Sequence, residues 1–516
     1  MEPSNKNIWK IATITLLIFI FSLSLRFDFN YYPKGIDTYD IATLSKNVQE
    51  KGYVVWNIDF ITAIGLTSFS YPSGGIIFLA EISTLTGMNI INAIVVWNFF
   101  LLIICALLLF FISKELFKND FISMLTVIIY LNTRYFISDS TFFSARNILL
   151  IFFLTILFLL VKKLDIKKIL LICFLIGISF ITHRATVIIC IFILAFTISK
   201  FAYKYYQNKI SYNVSIFFMG MAIFLIAAYI FGHLDIGTET TRIPIKIGIT
   251  YIDNILSILF SISMHFGLLI ILLPLGYFFL IAKKEKNFND LFMLVSITIA
   301  AGFMVETIYF VYLLLPVMTI LIGYFLQYIF ASNKNYLKYS MLLFIIIVLI
   351  VPIYITIIKP NSDSLFVREQ TVKLAHFLDN HALQKSVTCN NHFTYCSQIV
   401  SLSKNVSALT ITSGRTMIER INITKNKVSL NAARGNIIVK DNILDLPFFG
   451  DSYVSAIINW NTDPPILKKL VKFTNLGYII DSNNPDSIAN RPNIQKKFGN
   501  MDQIYDNKLQ QVKVIQ

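Results

Sequence analysis

Charge is what this chain has least of. Only 14% of its 516 residues are Asp, Glu, Lys or Arg, against 56% hydrophobic residues, a balance too apolar for an ordinary soluble protein of several domains. Familiar cofactor motifs are missing too. The sequence holds no Walker loop, no dinucleotide fingerprint, no paired-histidine metalloprotease motif and no clear internal repeat, so no P-loop or dinucleotide site is signalled by motif. Cysteine is scarce. Of the 5 present, Cys105, Cys173 and Cys190 fall in apolar blocks and read as inert packing residues. Cys389 and Cys396 lie in the C-terminal region, where an oxidising compartment would let them form a disulfide. His392 between them completes no familiar zinc spacing.

What is abundant is long apolar sequence. About eleven blocks approach the ~20 residues that a helix needs to cross a bilayer. They run 8–25, 89–112, 120–137, 143–161, 168–182, 185–199, 212–232, 264–282, 289–304, 308–330 and 339–358. The first has lysines before it and no small-residue cleavage site after it, so it reads as a retained signal anchor.

The net charge of +15 has an explanation other than nucleic acid, and none is expected as a partner. With the N-terminus inside, every inner turn carries lysines: Lys6 and Lys10, Lys114 and Lys118, Lys162 to Lys168, Lys200 to Lys209, Lys283 to Lys286, then Lys334 and Lys338. The short outer turns hold few, which is the positive-inside pattern. The expected fold class is therefore a polytopic α-helical membrane protein, N-terminus in and C-terminus out. Residues 1–358 form its transmembrane domain, with a first outer loop over 26–73, and 359–516 form an extracytoplasmic α/β domain. The expected location is a prokaryotic cell membrane.

Tyr31 to Gly52 is the acid-bearing part of that first loop. Asp37 and Asp40 have two readings here: an N-cap and N3 acid of a short helix that buries Ile41, Leu44 and Val48 and stops at Gly52, or groups that do chemistry. The loop closes with Tyr71-Pro72-Ser73-Gly74-Gly75, leading into an apolar helix to about Thr86 that is too short to span. Further ionisable groups gather at outer span ends. Arg134, Asp139 and Arg146 surround the turn between the third and fourth spans, His183 and Arg184 join the fifth and sixth, and Glu306 lies between the ninth and tenth. Such groups at the membrane edge mark either a partner or a site, with snorkelling as the plain reading for Arg134. An amphipathic stretch from Tyr251 to Met264 reads as an interfacial helix. After Pro360 a helix over 363–379 and short strands at 437–439, 454–458 and 478–480 are expected. Two sequons begin at Asn405 and Asn422.

Gly35-Ile36-Asp37-Thr38-Tyr39-Asp40 in a long first outer loop, together with Tyr71-Pro72-Ser73-Gly74, resembles the glycosyltransferase C (GT-C) superfamily of polytopic membrane enzymes. Its members transfer a sugar from a polyprenyl phosphate or pyrophosphate carrier to a protein, lipid or glycan on the outer face. The resemblance puts Asp37 in the place of the catalytic carboxylate, with Asp139 and Glu306 where some members place further acids. The Trp-Trp-Asp motif of oligosaccharyltransferase catalytic subunits is absent, so the protein mannosyltransferase and aminoarabinose transferase branches are the nearer comparison.

The expected chemistry follows. Asp37 would take the proton of an acceptor hydroxyl. Asp40 would orient the acceptor or join Asp37 in holding magnesium or manganese, if a metal is used. Arg184 with His183, and Arg146 after them, would receive the donor's phosphate. The competing classes are a lipid-linked-sugar flippase or other transporter and a non-catalytic subunit of a glycosylation complex. Ionisable groups at span ends rather than mid-membrane favour surface chemistry over transport.

Overall fold

The computed structural model describes residues 32–33, 35–53, 73–133, 136–137, 140–183, 186–206, 271–303, 308–358, 367, 369–381, 386–389, 398–399, 401–403, 407–409, 421–424, 427–430, 476–482, 502–506 and 510–514. Helices dominate. They are α1 (Ile36–Lys51), α2 (Ser73–Thr86), α3 (Ile90–Phe117), α4 (Asp120–Leu131), α5 (Ala145–Val161), α6 (Ile166–Thr182), α7 (Val187–Tyr206), α8 (Leu272–Ala282), α9 (Phe288–Phe303), α10 (Ile308–Ala331), α11 (Asn335–Ile358) and α12 (Glu369–His381). The blocks expected at 8–25 and 212–232, and the stretch from Tyr251 to Met264, lie outside the described residues.

The chain divides into two compact units. One holds Met1–Asp28, Asn98–Thr141 and Ala145–Pro360; the other holds Phe29–Trp97, Phe142–Ser144 and Asn361–Gln516. In the first, α8 and α10 run against each other, as do α4 and α10, α7 and α9, and α5 and α6. Among the described residues, two helical stretches, Ile90–Phe117 and Tyr312–Ala331, are long and apolar enough to cross a membrane. The second is the more deeply buried of the two. Glycine permits a close approach: a Cβ on Gly276 of α8 would overlap the carbonyl of Leu321 on α10. By contrast α6 leaves Leu170, Phe174, Phe180 and Ile181 exposed, and an apolar helix so bare needs lipid or another apolar surface beside it. Cys105 is buried as expected, whereas Cys173 and Cys190 lie exposed on α6 and α7 and pack into no core.

Polar side chains mark where the chain reverses. Asn119 caps α4 by accepting from the backbone N–H groups of Phe121 and Ile122, and Asp165 caps α6 by accepting from Lys168. Hydrogen bonds from the Lys168 side chain and main chain hold the Asp165 carboxyl below its usual range. Between α8 and α9, Asn287 and Asp290 form a reciprocal cap: the Asp290 N–H donates to Asn287 Oδ1 at 2.8 Å and the Asn287 N–H to Asp290 Oδ2 at 2.9 Å. Lys283 Nζ also reaches Asp290 Oδ2 at 2.6 Å, and Lys286 Nζ donates to the carbonyls of Ile281 and Lys283 at the end of α8.

In the other unit α1 packs against α2. After α12 comes a five-stranded sheet of order β2-β1-β5-β7-β6, built from β1 (Ser386–Cys389), β2 (Ser407–Leu409), β5 (Leu476–Ser482), β6 (Asp502–Asp506) and β7 (Gln510–Val514). β1 pairs in parallel with β2 and β5, and β7 pairs antiparallel with β5 and β6. A separate hairpin joins β3 (Ile421–Thr424) and β4 (Lys427–Leu430). The strand expected at 478–480 is the centre of β5. Those expected at 437–439 and 454–458 lie outside the described residues.

Asp290 is buried and carries a helix start as well as an ion pair, while Lys283 is half-exposed. We expect Asp290→Ala to lose about 2 kcal/mol, as for a buried acceptor of charge-assisted hydrogen bonds. Lys283→Ala should lose less than about 1 kcal/mol, as a partly solvated pair does. Thermal unfolding of both variants in detergent checks the order.

Candidate active site

The acid-bearing segment folds as α1. Its composition is polar, yet Thr38, Tyr39, Ile41, Ala42, Thr43, Leu44, Ser45 and Val48 are all buried. A helix with so few apolar residues can be enclosed only if its hydroxyls are bonded. They are. Thr43 donates to the Tyr39 carbonyl at 2.7 Å, and Ser45 donates across to the Ile76 carbonyl of α2 at 3.0 Å. The Tyr39 phenol donates to the Pro33 carbonyl at 2.6 Å, and burial pushes its pKa well above the usual value. It therefore stays a donor throughout the physiological range.

The expected cap is corrected. Gly35, not Asp37, is the N-cap, with φ 93 and ψ 152 and no capping side chain. Asp37 stands inside the first turn and Asp40 one turn on, two positions on one helix face. Only a glycine adopts the N-cap backbone easily. The stop is as expected, at a left-handed Gly52 whose N–H donates to the Val48 carbonyl.

Between the two acids in sequence, Thr38 makes the contact that places this turn. Its Oγ1 accepts from the Phe143 N–H at 2.9 Å and approaches the Phe143 carbonyl at 3.4 Å, 105 residues away. Phe143 stands between Asp139 and Arg146 in the chain. A Cβ on Gly35 would lie 3.1 Å from that of Phe142, so the same short segment presses on the helix start.

In the first unit Arg146 occupies the second position of α5 and is half-buried. The next residue, Asn147, accepts a hydrogen bond from the Tyr312 phenol of α10 at 3.0 Å, deep in the core. That bond ties the start of α5 to the helix that follows Glu306. His183 is buried at the C-cap of α6, where its N–H donates to Ser179 and its carbonyl accepts from Thr186. Asp139, Arg184, Glu306, Arg134 and Cys396 lie outside the described residues, and Cys389 falls on β1. Among the described residues no group of three His, Cys, Asp or Glu side chains gathers to hold a metal. Thr38, Asn147 and Tyr312 were not singled out from the sequence. Thr38 sat within the motif, but nothing in a single chain could supply its partner.

If the Thr38 to Phe143 bonds place the helix start, Thr38→Val, which keeps the shape and removes the oxygen, should lose about 1–2 kcal/mol, and Thr38→Ser should recover most of it. Gly35→Ala should be at least as costly, about 1–3 kcal/mol, because its backbone conformation is essentially reserved for glycine. Thermal melts in detergent distinguish these from a surface loop, where both Thr38 variants would be silent.

No protein-family model matches the sequence, and no curated protein matches it significantly. Solved structures do match in shape. The archaeal oligosaccharyltransferase AglB from Archaeoglobus fulgidus aligns over 100% of this chain and 75% of its own, with a TM-score of 0.60 at 11% identity. ArnT from Cupriavidus metallidurans aligns over 100% and 99%, with a TM-score of 0.56 at 10% identity. The mycobacterial arabinofuranosyltransferase AftD aligns over 98% of this chain but 41% of its own, with a TM-score of 0.55 at 9% identity. Identities this low speak for architecture alone, and what this chain shares with these three proteins is their overall fold.

Proposed function

We propose that this protein is a membrane glycosyltransferase that moves a sugar from a polyprenyl-phosphate carrier to an acceptor hydroxyl at the outer membrane face. The observation that carries the reading is a buried polar helix, α1, bearing Asp37 and Asp40 at its start and fixed there by Thr38, in a chain with the GT-C fold. The structural neighbours support the donor class: AglB was solved with an inhibitory peptide and a dolichol-phosphate, and ArnT with undecaprenyl phosphate. The near-complete mutual coverage with ArnT favours a transferase of that size. The topology that goes with this reading has about eleven spans, the N-terminus inside, and 359–516 outside with the loop over 26–73.

The chemistry requires few groups. Asp37 accepts the proton of the acceptor hydroxyl as its oxygen bonds to the anomeric carbon; the bond from that carbon to the phosphate oxygen breaks, and the polyprenyl phosphate leaves with the electron pair. Arg184 with His183, and Arg146 as a further cation, stabilise the phosphate charge, for which a planar guanidinium fork is suited. Asp40 shares a helix face with Asp37. Their oxygens suit magnesium or manganese, which when bound would help neutralise the phosphate. Protein, lipid and glycan hydroxyls all remain acceptors in this scheme, and no nucleic acid enters it.

Asp37→Asn should abolish transfer, with a loss of at least ~100-fold, while expression and membrane insertion stay native. Radiolabelled polyprenyl-phosphate sugar with purified protein and candidate acceptors provides the assay, and native turnover in the variant would remove Asp37 from the mechanism. Arg184→Ala should instead weaken donor binding by about tenfold or more, equivalent to ~1.4 kcal/mol for a charged hydrogen bond. Unchanged donor affinity would take Arg184 out of the phosphate site. Vesicle flux of labelled lipid without transfer would favour the transport reading.

A further inference from the structure

The acid-bearing helix is held at both ends, and the second hold comes from the C-terminal segment of the chain. Lys46, in the later turns of α1, extends Nζ to the carbonyl of Ser403 at 3.4 Å, across 357 residues of sequence. Ser403 is buried. Its own Oγ donates to Asp379 Oδ1 of α12 at 2.7 Å, and its N–H donates to the Ile399 carbonyl at 2.8 Å. A cation on α1 and an acid on α12 are thus joined through one serine, which accepts from the first and donates to the second. All three residues lie in the same compact unit.

We infer that Lys46, Ser403 and Asp379 form a positioning link through which the C-terminal segment sets the pose of α1, and with it the placement of Asp37. The inference rests on the functional reading above only for its catalytic consequence. A helix of 16 residues is a stiff rod about 24 Å long, so fixing its later turns limits the tilt and rotation of its first. Thr38 to Phe143 locates one end, Ser45 to Ile76 the middle and Lys46 to Ser403 the other end. Only the last of these belongs to the C-terminal segment. Near-attack geometry tolerates little displacement, and a shift of about 1 Å can cost ~100-fold in rate. The segment would therefore act on turnover rather than on donor affinity.

The test uses the full-length protein in detergent and reads hydrogen exchange along with activity. Lys46→Met should speed amide exchange in residues 36–51 by about tenfold and leave residues 145–161 as in the native protein. Lys46→Arg, which keeps the donor, should restore native exchange. In the transfer assay Lys46→Met should lower kcat about tenfold, with KM for the lipid-linked donor within about twofold, and Lys46→Arg should recover it. Ser403→Ala keeps the accepting carbonyl and removes only the tie to Asp379. It should shift both readouts in the same direction by less, and it is the variant to read if Lys46→Met does not accumulate. Native exchange over 36–51 in both variants overturns the link. Loosened α1 with native kcat overturns its positioning role. Loosened α1 in a chain whose native form transfers no sugar leaves the link standing and removes the functional reading instead.

Discussion

A hydroxyl or amide placed in an apolar layer has only the chain for a partner, and this requirement shapes both units. Along the helices of the first unit, Thr126, Thr155, Ser179, Thr182, Thr197, Ser199 and Thr298 each donate to the carbonyl one turn before them. Such bonds let a polar side chain sit in hydrocarbon without a neighbour's help. Other polar groups cross between elements: Tyr312 to Asn147, Tyr277 to Thr298, and Gln327 to the Phe117 carbonyl. Where a hydroxyl bonds outside its own helix, it fixes the register of two.

α1 takes that rule furthest. Thr38 and Ser45 bond to neighbouring segments, so polar bonds join the buried stripe of Ile41, Leu44 and Val48 in fixing the helix. An ordinary amphipathic helix relies on its apolar stripe alone and turns its polar groups to water. An acid carried on a helix fixed in this way has a defined address, which is what acid–base chemistry demands.

The helices were legible in the sequence because ~20-residue apolar blocks have few other outcomes. Their ends were less so. The block expected at 89–112 continues as helix to Phe117, since Lys114 and Glu115 are good helix formers that hydropathy discounts. The block expected at 120–137 stops being α4 at Leu131, where Asn132 takes the C-cap; hydropathy sees no break there because Phe136 and Ile137 are apolar. The polar strand Asp502–Asp506 escaped notice because it carries little apolar pattern and pairs on one side only, at the sheet edge. At the candidate site the motif itself was readable, and Gly52 as its stop. The partners of Thr38 and Lys46 were not, because they lie 105 and 357 residues away, and a single sequence carries no record of such pairings.

The contact at Gly276 bears on how the protein could move. With no side chain to separate them, α8 and α10 meet backbone to backbone at Leu321, and two rods in such intimate contact can neither slide nor roll without first parting. They make a single girder. Any opening of the bundle at this level must come at some other seam, one whose helices are held further apart by bulkier side chains.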